Sequence, residues 1–150
     1  MWRIAGLSDD DEIVRMCLAL NAEDPGPAPV PAENMQKTLL VLRKEPQRGR
    51  AVVLELEGRV CGYALLISFW SNELGGDACA IDEIYVEPEH RGRRHATRLI
   101  EDLAAGTGPY GSTVAALTLE ITPDNVRARR LYERLGFRGP NLAMRRRLPR

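Results

Sequence analysis

The chain has 150 residues, of which 44% are hydrophobic and 28% charged, proportions that fit one globular domain able to fold without a metal or disulfide staple. Its 21 basic residues offset 21 acidic ones, giving a formal charge of zero. A general nucleic-acid or anionic-membrane binder needs a basic excess, so the balance argues against both and leaves room only for a local basic site.

The opening MWRIAGLSDDDEI is acidic and lacks the basic region and apolar stretch of a signal peptide, and the longest apolar-rich run, Tyr63 to Trp70, is too short to span a bilayer. A cytoplasmic location is expected. Cys17, Cys61 and Cys79 are odd in number and form no C-x-x-C pair, and only His90 and His95 could add nitrogen ligands. Neither structural zinc nor a disulfide framework is expected.

Residues 2 to 7 alternate as a short strand. Ser8 with Asp11 three residues on resembles a capping box, and Asp9, Asp10, Asp11 and Glu12 suit the positive start of a helix. Ile13, Val14, Cys17, Leu18 and Asn21 follow the spacing of its apolar face. Pro25, Pro27, Pro29 and Pro31 forbid helix or central strand and predict an extended loop. A second helix is expected over 32–44, with Met35, Leu39 and Leu42 inward and Pro46 as the stop.

From Arg50 the period changes to that of strands. AVVLELE and VCGYALLISFW flank Glu57, Gly58 and Arg59 as a hairpin, and ACAIDEIYV resumes the pattern after the loop SNELGGD. GRRHATRLIEDLAAG reads as a helix ended by Gly106, TVAALTLEI as a strand, and 125–135 as a helix stopped by Gly136. The stretch from Phe137 to Leu148 is expected to add one or two short strands. The fold class is therefore mixed α/β in a single domain over 1–150. Strands feed helices after Val86 and after Ile121, and such junctions are where α/β sheets bind ligands.

The first junction, IDEIYVEPEHRGRRHATRLIEDL, ends an apolar strand in a proline turn and opens a helix with Arg91 and Gly92. A helix start offers unpaired N–H groups and the positive dipole end, which bind phosphates; Arg91, Arg93 and Arg94 add charge. The second, TPDNVRARRLYERLGF, runs a short helix bearing Val126, Leu131 and Leu135 into Gly136 and Phe137. A plain strand–helix connection with solvated arginines, and an ordinary capped helix, are the alternatives when each is taken alone.

Together, in this order, the two segments resemble the GNAT superfamily of acetyl-CoA dependent N-acetyltransferases. The family's V-x-P-x-x-R-G-x-G-x-G/A signature is matched by Val86, Pro88, Arg91, Gly92 and Ala96, and its N-x-x-A-x-x-L-Y-x-x-L-G-F signature by Asn125, Ala128, Leu131, Tyr132, Leu135, Gly136 and Phe137. The clear resemblance covers about residues 50–138. It departs where Arg94 replaces the signature's second glycine and His95 the usual aliphatic residue. A guanidinium there could fork onto a phosphate or obstruct it.

The resemblance implies a central, mostly antiparallel sheet with helices on both faces, and acetyl-CoA as donor; no metal is expected. The backbone of Ile84, Tyr85 and Val86 would bind the pantetheine arm, and the N–H groups of Arg91, Gly92, Arg93, Arg94, His95, Ala96 and Thr97 the pyrophosphate. Asn125, with Ala128 beside it, would lie against the coenzyme, and Tyr132 would protonate the departing thiolate. An alkyl amine has a pKa near 10.4, so direct attack needs a base. Glu83 is preferred for its reach and its place just before Ile84, with Asp82 second; an N–H of Tyr85 or a neighbour would hold the oxyanion.

Glu73, Asp77, Asp82 and Glu83 would attract a cationic acceptor, and the surrounding stretch looks like that of small-amine acetylating members. The implied function is transfer of acetyl to a small primary amine. A silent or weak CoA-binding domain and a protein or peptide N-acetyltransferase are the alternatives. A homodimer is left open, and neither nucleic acid nor membrane is expected as partner, since Arg145, Arg146 and Arg147 would alternate faces on a strand.

Overall fold

The computed structural model describes residues 1–110, 113–139 and 144–149. The chain divides into two compact units, Met1–Glu120 and Ile121–Arg150. The first carries β1 (Trp2–Ile4), α1 (Asp10–Glu23), α2 (Ala32–Lys44), β2 (Gly49–Leu56), β3 (Arg59–Ser71), β4 (Gly76–Val86), α3 (His95–Ala105) and β5 (Ala116–Leu119); the second carries α4 (Val126–Arg134). The strands lie in the order β1-β2-β3-β4-β5, antiparallel except for the parallel β4–β5 pair. The expected mixed α/β fold with a mostly antiparallel sheet is the one observed.

Glu57 and Gly58 both take positive φ, 51° and 76°, the turn whose twist matches two antiparallel strands, so β2 and β3 pair through a two-residue connection. Strand alternation then sorts the core. Ala51, Val53, Tyr63, Leu65 and Tyr85 pack with Ile13, Met16 and Cys17 of α1 and Met35, Leu39 and Leu42 of α2. Val52, Leu54, Ala64 and Leu66 point the other way and are equally buried. Leu99, Ile100 and Leu103 of α3, which lies against β4 and β5, are buried too.

Several expectations are corrected. The buried face of α1 is Ile13, Met16 and Cys17, at i, i+3 and i+4, whereas Leu18, one residue further round the turn, is 44% exposed. That start is a 3-10 turn, Leu7–Asp9, rather than a Ser8–Asp11 box. Asp9 accepts from the Gly6 N–H at 2.7 Å and from both terminal nitrogens of Arg3 at 2.8 and 3.0 Å. α3 begins at His95, three residues later than Gly92, because Gly92 and Arg94 take φ of 75° and 63°. The described part of 137–148 holds no strand; Met144 and Leu148 stand exposed around three consecutive arginines, which leaves no apolar face to pair. Residues 140–143 of that expectation lie outside the described residues.

The three cysteines are free and buried. Among the described residues no helix is long and apolar enough to cross a membrane.

Candidate active site

β5 accompanies β4 only from Ala78 to Ile81. From Glu83 to Val86 β4 keeps its pairing with β3, and no strand among the described residues pairs with its other edge. The Glu87 N–H donates to the Cys61 carbonyl of β3 at 2.9 Å. Alternation then turns the Tyr85 N–H toward β3 and the N–H groups of Ile84 and Val86 toward the open edge. Of the expected backbone partners, these two present groups that an extended ligand could meet.

The open edge runs into the helix start. After a 3-10 turn over Pro88–His90, the left-handed backbone at Gly92 and Arg94 swings the chain into α3. The first bond into that helix is from the Arg98 N–H to the Arg94 carbonyl at 2.9 Å. The N–H groups of His95, Ala96 and Thr97 precede it and are the orphan donors of the helix, on the side of its positive dipole end. This fits the negative charge of a pyrophosphate. Arg91 is folded over the Tyr85 ring, 5.2 Å from its centroid, donates through Nε to the Val86 carbonyl at 2.7 Å, and grips both oxygens of Glu23 at 3.0 and 2.9 Å. Arg94 is 72% exposed on its side chain and lies 3.4 Å from Glu101. Arg93 is exposed, and burial lowers the pKa of His95.

Asp82 and Glu83 differ sharply. Leu65 pairs with Glu83 and Leu66 with Ile81, so Asp82 is the extra residue of a β-bulge, a device that re-aims neighbouring side chains. Asp82 is exposed, while Glu83 turns onto the face covered by α1. There Tyr63 Oη donates to Glu83 Oε1 at 2.8 Å, and Cys17 Sγ lies 3.6 Å from the same oxygen. Burial raises the Glu83 pKa, partly opposed by the Tyr63 hydrogen bond. Glu73 and Asp77 lie elsewhere: Asp77 stands six residue steps before Glu83 along β4, about 20 Å at the usual rise, so the acidic group expected from sequence is not one cluster.

The sequence profile of the Acetyltransferase (GNAT) family matches residues 9–137. The chain belongs to the GNAT acetyltransferase family. A stretch of 77 residues is 36% identical to the L-2,4-diaminobutyric acid acetyltransferase of Nocardia farcinica, covering 51% of this chain and 37% of that relative. The chain thus matches little more than a third of the curated relative's length. A possible acetyltransferase from Clostridium difficile has a similar fold, with a TM-score of 0.81 at 20% identity over 99% of this chain and 97% of that one. So does a ribosomal-protein-alanine N-acetyltransferase from Brucella melitensis, with a TM-score of 0.72 at 22% identity over 99% of both.

The second GNAT signature lies in the other unit. Asn125 caps α4, its Oδ1 accepting from the Ala128 N–H at 3.1 Å. Tyr132 meets Phe137 edge to face at 5.8 Å, and burial raises its phenol pKa.

Tyr63 and Cys17 were not legible as site residues, since they come from elements 20 and 66 residues away from Glu83; the hairpin register of β3 and β4 was the available signal for Tyr63. A second unread cluster centres on Glu87, 4% exposed, which takes Arg15 at 2.5 Å and has Arg59 at 3.6 Å. Glu87, Glu89 and His90 place potential ligand atoms within 4.8 Å of one another, but the two arginines already neutralise Glu87.

Proposed function

We propose that this GNAT protein transfers the acetyl group of acetyl-CoA to a primary amine of a small molecule by direct attack. The observation that carries the reading is the junction of β4 and α3, where an open strand edge leads to three orphan helix N–H groups. Ile84 and Val86 would bind the pantetheine amides along that edge, and the segment from Gly92 to Thr97 would take the pyrophosphate; the Arg91 N–H, expected from sequence to join it, instead donates to the Pro88 carbonyl at 3.2 Å. The acceptor ammonium must lose a proton before it attacks the thioester carbonyl. Glu83 serves as that base; its raised pKa brings it nearer the working pH. A backbone N–H on the open edge steadies the oxyanion, and Tyr132, kept as a phenol by its own raised pKa, returns a proton to the departing thiolate.

The acceptor class is supported by the relative named for L-2,4-diaminobutyric acid, a small molecule with more than one amine. Mass spectrometry of mixtures of the full chain, acetyl-CoA and a panel of small amines and peptides tests the proposal. A small amine carrying one acetyl in place of one hydrogen is the expected product. Acetylated peptides alone would shift the acceptor to proteins, and binding of acetyl-CoA with no product would make this a silent CoA-binding domain.

A further inference from the structure

The base assigned above is held by two side chains that no signature of the sequence points to. Tyr63 is fully buried on β3 and Cys17 nearly so on α1, and both meet Glu83 at Oε1, at 2.8 and 3.6 Å. Cys17 is itself fixed by Asn21, whose Nδ2 donates to its carbonyl at 2.9 Å and to its sulfur at 3.5 Å. Oε2 takes no hydrogen bond from the described residues. We propose that Tyr63 and Cys17 are positioning residues, which bind Oε1 of Glu83 and leave Oε2 as the oxygen that takes the proton of the acceptor amine. The proposal rests on the reading of Glu83 as base.

Chemistry supports the division of labour. Burial and the adjacent carboxylate push the Cys17 thiol up to about 11 and the Tyr63 phenol still higher, so both remain protonated donors at neutral pH. Each such bond favours the ionised carboxylate and opposes the upward pull of burial. The other charge bearing on Glu83 is Asp82 on its own strand, which raises its pKa. A carboxylate gripped on one oxygen is also fixed in rotamer, so its free oxygen presents one direction to an acceptor.

The test follows the Glu83 carboxyl by carbon NMR in full-length protein labelled at the glutamate side-chain carboxyl carbon, with the signal assigned by its loss in Glu83→Gln. Tyr63→Phe keeps the ring and removes the donor, so the Glu83 midpoint should rise by roughly one to two pH units; Cys17→Ala should raise it less. The acidic limb of kcat/KM, measured with acetyl-CoA and L-2,4-diaminobutyrate, should move by the same amount in each variant. A structural role alone would lower thermal stability without moving either midpoint. An unmoved NMR midpoint in Tyr63→Phe overturns the positioning role whatever the activity. A limb that persists in Glu83→Gln overturns the base reading beneath it, and is distinguished by the NMR shift remaining in Tyr63→Phe.

Discussion

Arg94 holds a left-handed backbone at φ 63° and ψ 23°, a conformation that costs a non-glycine L-residue roughly 1–2 kcal/mol. That is the physical reason for a glycine at this place in the signature. Its side chain leans toward Glu101, which carries the guanidinium away from the strain without removing it. Arg94→Gly should therefore stabilise the fold by about 0.5–1 kcal/mol after the greater freedom of glycine in the unfolded chain is counted, seen as a melting temperature roughly 2 °C higher. A lower melting temperature would show that the arginine is under no strain. The same variant should bind acetyl-CoA equally or less well, as a positive charge leaves the phosphate site; a gain of about tenfold would mark Arg94 as an obstruction. For Tyr132, replacement by Phe removes only the hydroxyl and should lower kcat by roughly 10²-fold to 10⁴-fold with little change in acetyl-CoA affinity. An unaltered kcat when chemistry limits the rate would remove the acid role.

At the scale of elements, the start of α1 depends on one carboxylate. Asp9 is 5% exposed and satisfies the Gly6 N–H and Arg3 together, so it ties β1 to the helix that covers Glu83. Its pKa is lowered, first by the Arg3 hydrogen bonds. A depressed folded-state pKa gives stability that is present above the ordinary carboxylate range and is lost as the pH falls through the folded value. Asp9→Asn should cost about 1–3 kcal/mol at neutral pH, measured by urea unfolding, and the gap from the wild type should narrow in acid. A gap that is constant with pH would mean that the charge of Asp9 contributes nothing.

The same element shows what sequence can carry. The hairpin of β2 and β3 was legible because Glu57 and Gly58 lie between two alternating runs, and the inner face of α2 because Met35, Leu39 and Leu42 recur at helical spacing. The Ser8 box did not form; Asp9 instead takes the Gly6 N–H within a 3-10 turn and pairs with Arg3, which belongs to another element. The late start of α3 was hidden because nothing about an arginine announces positive φ. The preference for Glu83 over Asp82 rested on reach and position, whereas the bulge between them depends on register with β3, and the contacts of Tyr63 and Cys17 depend on tertiary packing. The chemistry of the site was thus readable where motifs are local and unreadable where its parts come from separate elements.

For the whole molecule, the family profile over residues 9–137 spans both compact units, and the proposed place of the acetyl donor is the junction of β4 and α3 in the first. One acetyl-CoA would bind there through the backbone N–H groups that follow the turn at Gly92. Gly92 has φ 75° with open space around its missing Cβ, so a glutamate at this position adds backbone strain, bulk and a negative charge facing the phosphates. Isothermal titration of acetyl-CoA into the wild type and Gly92→Glu, with circular dichroism to confirm that both are folded, tests this binding mode. One site per chain is expected in the wild type and at least tenfold weaker binding in the variant, about 1.4 kcal/mol or more; unchanged affinity in a folded Gly92→Glu protein would place the phosphates elsewhere.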